Sequence, residues 1–146
     1  MWTRLFSQLM ALFKPKPRPT IQAAGTIDLN EMSSILLDKL EAMKDPLADI
    51  HLPDAACKVY DKDEVVRFLG LDETDKIVYV PEKMDCDDFA RRLFGEFASL
   101  VWTNAHALNW FVDKEGKLWF IEPQSDQIAP DLAGWQGWDI RFFLGA

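Results

Sequence analysis

The chain of 146 residues is poor in cysteine, with only Cys57 and Cys86. A disulfide framework needs several cysteine pairs and is therefore excluded. A single bridge between the two cysteines stays open, but free thiols in a reducing compartment fit better, and we expect a cytoplasmic protein. The sequence also lacks an apolar run of about 18 residues, which excludes a transmembrane helix.

Basic residues are scarce as well, because 16 lysines and arginines face 24 aspartates and glutamates, for a net charge of −8. Nucleic-acid backbones are bound by basic surfaces, so we expect no nucleic-acid partner. An acidic surface suits a basic partner protein, a divalent cation or simple solubility. Hydrophobic residues make up 49% of the sequence, which is too many for a disordered chain, and the length fits one domain.

The first 27 residues are expected to lie outside the main domain. Apolar side chains recur at helical spacing in residues 2–13, which predicts an amphipathic helix. Alternating prolines and basic residues then open residues 14–27, as is typical of a semi-rigid tether. The helix could lie on a membrane surface, dock on a partner protein or pack on its own domain, and the pattern does not separate these alternatives.

Residues 28–146 are expected to form a single α+β domain. The apolar spacing and the turn signals predict helices over 28–43, 61–70 and 86–101, and strands over 76–80, 105–112, 117–121 and 138–144. Residues 46–58 are interpreted as a loop, and residues 113–116 as a hairpin turn. Because helices lead and strands follow, we expect N-terminal helices packed on a small antiparallel sheet.

One cysteine, one histidine and one carboxylate occur in an order that suits nucleophilic catalysis. Cys86 lies at the start of a predicted helix, where the helix dipole favours a thiolate. A thiolate nucleophile needs a base, and the base needs a group that orients it. His106 and Glu122 lie on the two strands of the predicted hairpin and can supply these two roles. The candidate catalytic residues are therefore Cys86, His106 and Glu122.

Three aspartates flank the candidate nucleophile, namely Asp85, Asp87 and Asp88. Their negative charge opposes a thiolate. One resolution is that they point to solvent, where their charge is screened. Another is that they bind a hard divalent cation together with the amide oxygen of Gln124. A third interpretation is that they only cap the helix.

The runs at residues 85–90, 106–109 and 121–124 resemble a group of papain-like cysteine proteases that includes the C-terminal domain of the Marasmius oreades agglutinin. The resemblance covers about residues 77–144. It implies a papain-like fold, a triad of Cys86, His106 and Glu122, and calcium or manganese held by the acidic residues and Gln124. The chain lacks the carbohydrate-binding β-trefoil domain of that agglutinin, so the resemblance implies no lectin activity.

The sequence therefore predicts a thiol hydrolase, either a cysteine peptidase or an amidase, with a protein or peptide as substrate. The alternative is a non-catalytic acidic module of phage or mobile-element type that binds or inhibits a basic partner. A third possibility is a metal hydrolase that uses the aspartates with His106. We interpret Cys57 and Asn109 as structural, and we favour core packing over a cleft position for Trp135 and Trp138.

Overall fold

The computed structural model describes residues 17–45, 47–135 and 139–146. The predicted helix at residues 2–13 lies outside these residues. The helices are α1 (Leu29–Met43), α2 (Lys62–Leu71) and α3 (Cys86–Glu96), with a short 3-10 helix at Thr74–Lys76. The strands are β1 (Gly25–Asp28), β2 (Asp49–His51), β3 (Ala56–Val59), β4 (Ser99–Thr103), β5 (Ala107–Val112), β6 (Leu118–Glu122), β7 (Gln127–Ala129) and β8 (Ile140–Leu144). None of the described helices has the length and apolar character needed to cross a membrane.

A six-stranded sheet in the order β2-β8-β4-β5-β6-β7 forms the centre of the fold. Strands β1 and β3 pair separately, and a bridge between Tyr60 and Asp113 joins this pair to the large sheet. Mixed helix and sheet content of this kind agrees with the predicted α+β class. The expected purely antiparallel sheet is wrong, because β2 runs parallel to β8 at one edge.

Strand β5 is buried along its whole length and explains how the layers are arranged. Successive side chains of a strand point to opposite faces. Leu108 and Trp110 accordingly pack in one cluster with the apolar side of α1. Phe111 packs with α2 and α3 on the other face, where Ala107 also meets α3. Helices therefore cover both faces of the sheet.

Aspartates start the first two helices, as the sequence indicates. An oxygen of Asp28 accepts a hydrogen bond from the Glu31 N–H at 2.9 Å, and an oxygen of Asp61 accepts one from the Asp63 N–H at 2.9 Å. Each bond satisfies a backbone donor that has no partner inside the helix. Helix α1 ends at Met43 as predicted, whereas α2 continues through the glycine at position 70, where we expected it to stop.

The predicted helix over residues 86–101 is too long at its C-terminal end. Helix α3 ends at Glu96, and Ser99–Thr103 forms β4 between β5 and β8. Buried Leu100 and Val101 fit the three- to four-residue spacing of a helix and also the centre of a sheet. Short apolar runs are ambiguous in this way, and here the two neighbouring strands decide the outcome.

Two further predictions of local structure are wrong. The segment 46–58 contains β2 and β3 on either side of Pro53, so the proline separates two strands and does not mark one long loop. Residues 76–80 form no strand ladder, since Val78 is 76% exposed and Val80 makes only an isolated bridge to Met84. A β-branched run becomes a strand only where a partner strand is available.

The described part of the tether lies against α2 and α3. The Arg67 guanidinium donates a hydrogen bond to the Thr20 carbonyl oxygen at 3.3 Å, and Arg18 lies 3.5 Å from a carboxylate oxygen of Glu96. The last residues of the predicted tether form β1. The division of the chain into residues 1–13, 14–27 and 28–146 stays a prediction.

Candidate functional site

A cleft of about 410 Å³ opens where the start of α3 meets the ends of β5 and β6. The residues that line it are Tyr79, Cys86, Ala105, His106, Glu122, Gln124, Gln127 and Trp135. The structure thus brings all three candidate catalytic residues together with Gln124. It is a concave site with a few convergent polar groups, which is the usual form of a small-molecule site.

The side chains of His106 and Glu122 contact each other directly in the wall of this cleft. The His106 Nε2 atom lies 2.6 Å from a carboxylate oxygen of Glu122, and both side chains are largely buried, at 15% and 17% exposure. The other carboxylate oxygen of Glu122 accepts a hydrogen bond from the Gln124 N–H at 3.2 Å. Glu122 is therefore fixed through both oxygens, and it fixes the imidazole in turn.

The backbone around His106 is held by Thr103 at the end of β4. The Thr103 hydroxyl accepts a hydrogen bond from the His106 N–H at 2.9 Å and donates one to the His106 carbonyl oxygen at 3.0 Å. The hairpin brings Glu122 close, with Val112 paired to Leu118.

The two cysteines have different surroundings. Cys86 is the first residue of α3 and packs, half-buried, beside Ala90 and Ala107. Cys57 is buried, and its thiol donates a weak hydrogen bond to the Asp54 carbonyl oxygen at 3.5 Å. Burial raises the pKa of the Cys57 thiol, and nearby Asp54 and Asp28 add to the effect. This setting agrees with a structural role for Cys57 and leaves Cys86 as the thiol of the cleft.

The aspartates beside Cys86 separate into two groups. Ligand atoms of Asp85, Cys86 and Asp87 all lie within 4.8 Å of one another. The hydrogen-bonded contact with Asp85 is the main cause that raises the pKa of Asp87, followed by burial and the charges of Asp85 and Asp88, while Arg91 opposes them. Asp88 forms an ion pair with Arg91, which also lies 3.7 Å from a carboxylate oxygen of Asp87, and it accepts a hydrogen bond from the Asp85 N–H at 3.3 Å.

Two aromatic or polar residues of the cleft, Tyr79 and Gln127, were not identified from the sequence, and a third, Trp135, was expected to pack in the core. Tyr79 was placed in a strand, yet it lies in the irregular segment before α3 and is 51% exposed. Trp135 lines the cleft and also packs against the core cluster next to α1. The favoured core position and the alternative cleft position are therefore both partly right. Gln127 pairs with Glu122 across β6 and β7, and only a prediction of β7 would have found it. Trp138 lies outside the described residues.

The turn between β6 and β7 carries a carboxylate in an unfavourable place. Asp126 has a left-handed backbone with φ of 58°. Burial raises the pKa of Asp126 to about 6, the charges of Asp75 and Asp72 add to this, and Lys76 opposes it. Because Gln124 and Gln127 flank this turn, its stability bears on one wall of the cleft.

Replacing Asp126 with asparagine is expected to stabilise the fold at neutral and higher pH. The pKa of Asp126 in the folded state lies above the ordinary value of 3.8. The protonated carboxyl therefore contributes fully to the stability of the fold at pH values below 3.8, and this contribution is lost as the pH rises through about 6. Asparagine removes the charge and tolerates a left-handed backbone. After allowance for solvent screening of a half-buried group, we expect a gain of about 1 kcal/mol.

Urea unfolding of both proteins at about pH 4 and about pH 8 measures this difference. The gain should be present at the higher pH and absent at the lower one. An equal gain at both values would show that the charge of Asp126 is not its origin.

Searches against family models and against curated protein sequences found no match. Among solved structures, the fold is similar to that of the Polyporus squamosus lectin PSL1a in a complex with E64, at 20% identity and a TM-score of 0.62, over 82% of this chain and 51% of that one. It is also similar to Polyporus squamosus lectin bound to the human-type influenza-binding epitope Neu5Acα2-6Galβ1-4GlcNAc, at 18% identity and a TM-score of 0.64, over 82% of this chain and 49% of that one. The chain therefore spans about half the length of these lectins.

These likenesses correct the prediction from sequence. The predicted membership of a papain-like cysteine protease group is contradicted, because both of the similar structures named above are of lectins. The predicted thiol hydrolase, a cysteine peptidase or amidase, is contradicted for the same reason, and a protein or peptide substrate is not supported. The physical reason is that an imidazole and a carboxylate beside a thiol also bind the hydroxyl groups of a ligand. What the comparisons establish is a fold shared with part of the Polyporus squamosus lectins.

Proposed function

We propose that the cleft binds a carbohydrate, and that the ligand is a neutral glycan. The observation that carries this proposal is the combination of side chains in the cleft, where two aromatic rings lie among groups that form hydrogen bonds. The aromatic residues are Tyr79 and Trp135, and the polar ones are His106, Glu122, Gln124 and Gln127. The similarity of the fold to lectins supports the same proposal.

These side chains suit the two faces of a sugar ring. An aromatic ring offers a flat apolar surface on which the C–H groups of a pyranose pack. The side-chain amides of Gln124 and Gln127 each offer two donors and an acceptor, which matches hydroxyl groups that both donate and accept. Glu122, already bonded to His106, adds a charged acceptor, and charge-assisted hydrogen bonds are the stronger kind.

The charge of the cleft favours a neutral glycan over a sialylated one. None of the described residues that line it is a lysine or an arginine, and Asp85 and Asp87 lie next to Cys86 at its edge. The whole chain carries a net charge of −8. The carboxylate of a sialic acid would approach like charges, which lowers affinity. The sialylated epitope belongs to the lectin in whose structure it is bound.

Calorimetric titration with Galβ1-4GlcNAc and with Neu5Acα2-6Galβ1-4GlcNAc tests the proposal, in a buffer free of divalent cations so that no bound cation offsets the carboxylates of Asp85 and Asp87. We expect the neutral disaccharide to bind with a dissociation constant of about 1 mM or tighter, and the sialylated trisaccharide about tenfold more weakly. Tighter binding of the sialylated ligand would contradict the assigned preference. If neither ligand binds while the circular dichroism spectrum shows that the protein is folded, carbohydrate binding is contradicted.

The individual roles first assigned to the triad stay predictions. These are Cys86 as nucleophile, His106 as base and Glu122 as the group that orients the base. In the proposed function the same three side chains contact the ligand. The support for a shared role is that all three line one cleft and that His106 and Glu122 are already paired.

We also propose that a divalent cation, calcium or manganese, binds beside Cys86. The support is the close approach of Asp85 and Asp87 and a buried Asp85 carboxylate oxygen for which residues 17–45, 47–135 and 139–146 offer no hydrogen-bond partner. A hard cation prefers oxygen ligands. Asp88 and Gln124 stay predicted ligands, although Asp88 is also used by Arg91.

Two other expectations continue as proposals. The papain-like subdivision of the α+β class is supported by the position of Cys86 at the start of a helix that packs on the strand following His106. A reducing, cytoplasmic location is supported by the two free thiols, Cys57 and Cys86.

A further inference from the structure

Asn109 is a polar residue in the middle of the core, with no exposed surface. It lies in β5, three positions after His106. Its amide nitrogen donates hydrogen bonds to the Ala90 carbonyl oxygen at 2.9 Å and to the Ser99 carbonyl oxygen at 3.2 Å. Its amide oxygen is buried and has no hydrogen-bond partner among the residues that the structure describes.

A residue of this kind is costly for the core. A buried polar group without a partner is unfavourable, and a leucine of similar size would avoid that cost. The two bonds of the amide nitrogen therefore give Asn109 a geometric role that an apolar side chain would not have. They connect three elements, namely α3 through Ala90, β4 through Ser99 and β5 through Asn109 itself.

The connected elements carry opposite walls of the cleft. Ala90 lies one helical turn after Cys86 in α3. The hydrogen bond from Asn109 to the Ala90 carbonyl oxygen therefore fixes the position of the first turn of this helix, which begins at Cys86. His106 directly precedes β5, and its backbone is bonded to Thr103 at the end of β4. The hydrogen bonds of the Asn109 amide thus connect the helix that carries Cys86 to the strands next to His106, on the core side of the cleft.

We propose that Asn109 is a positioning residue that sets the opening of the cleft between Cys86 and His106. This inference deepens the proposed function, because a ligand held in the cleft spans that opening. Asn109 acts through α3, since its own side chain is fully buried and is absent from the cleft lining.

Proton–carbon NMR of the two histidine rings tests the inference, since the chain has only His51 and His106. Iodoacetamide is used to alkylate the half-exposed Cys86, and peptide mass spectrometry verifies that buried Cys57 is unmodified. In the wild-type protein the ring signal of His106 should move on alkylation, while that of His51 stays in place. In Asn109→Leu the displacement of the His106 signal should fall to about half or less, because α3 is no longer fixed to the two strands.

Val59→Ala is the matched control, because it removes core volume in β3, away from the cleft. It should lower stability and leave the His106 displacement unchanged, which separates positioning from a general loss of packing. Asn109→Ser, whose shorter hydroxyl cannot reach both carbonyl oxygens, serves if the leucine variant does not fold. An unchanged displacement in the folded Asn109 variant, or no displacement in the wild-type protein, would overturn the inference. Glycan titration of the wild-type protein fails or succeeds independently of these signals, so the two proposals are distinguishable.

Discussion

Replacing Tyr79 with alanine is expected to weaken the binding of a neutral disaccharide by about tenfold. Tyr79 lines the cleft and is 51% exposed, so its ring is free to pack on a sugar and is not part of the core. Loss of one aromatic contact in a small-ligand site typically costs about 1.4 kcal/mol, which corresponds to that factor. The measurement is the dissociation constant for Galβ1-4GlcNAc.

Two variants sharpen this result. Val78→Ala is the matched control, because Val78 precedes Tyr79, is 76% exposed and does not line the cleft; its affinity should equal that of the wild-type protein. Tyr79→Phe keeps the ring and removes the hydroxyl, so most of the affinity should remain. Equal affinities for the wild-type protein and Tyr79→Ala would mean that the ligand does not use this wall.

Replacing Trp110 with alanine is expected to lower the free energy of unfolding by about 4 kcal/mol. Trp110 is 1% exposed in the central strand β5. Its ring packs edge-on against Phe143, with centroids 5.6 Å apart, and its indole N–H donates a hydrogen bond to the Leu100 carbonyl oxygen at 2.9 Å. Alanine leaves a large cavity and removes that bond, and the melting temperature should fall by roughly 10–20 °C.

Trp110→Phe is the control for the two contributions. Phenylalanine retains most of the buried ring and lacks the N–H donor, so we expect a smaller loss of about 1–2 kcal/mol. Urea unfolding measures both variants. A loss below about 1 kcal/mol for the alanine variant would contradict the placement of Trp110 between α1 and the sheet.

Local signals predicted the helices better than the strands. Asp28 and Asp61 are followed by apolar residues at helical spacing, and both helices begin where these caps predict. The strands depend on partners that are distant in sequence. Residues 76–80 have the composition of a strand and find no partner strand in the described part of the chain, whereas residues 49–51 look like loop and pair with β8, more than 90 positions further along the chain.

The sequence predicted three residues of the candidate site but not what the site does. Cys86, His106 and Glu122 could be placed together because a helix start and a hairpin have known geometry, and the structure brings all three into one cleft. Tyr79 and Trp135 come from irregular segments, whose course depends on the whole fold. The chemistry was not determined by residue order, since His106 and Glu122 are equally suited to hold a nucleophile or to bind a hydroxyl group.

The most direct test of carbohydrate binding in the cleft is to map the binding of Galβ1-4GlcNAc by the displacement of backbone amide signals in two-dimensional NMR. We expect the displaced signals to cluster at the cleft, with those of His106, Gln124 and Gln127 among the largest. At ligand concentrations up to about 10 mM, the absence of any displacement, or displacements grouped on another face of the molecule, would contradict a carbohydrate site in this cleft.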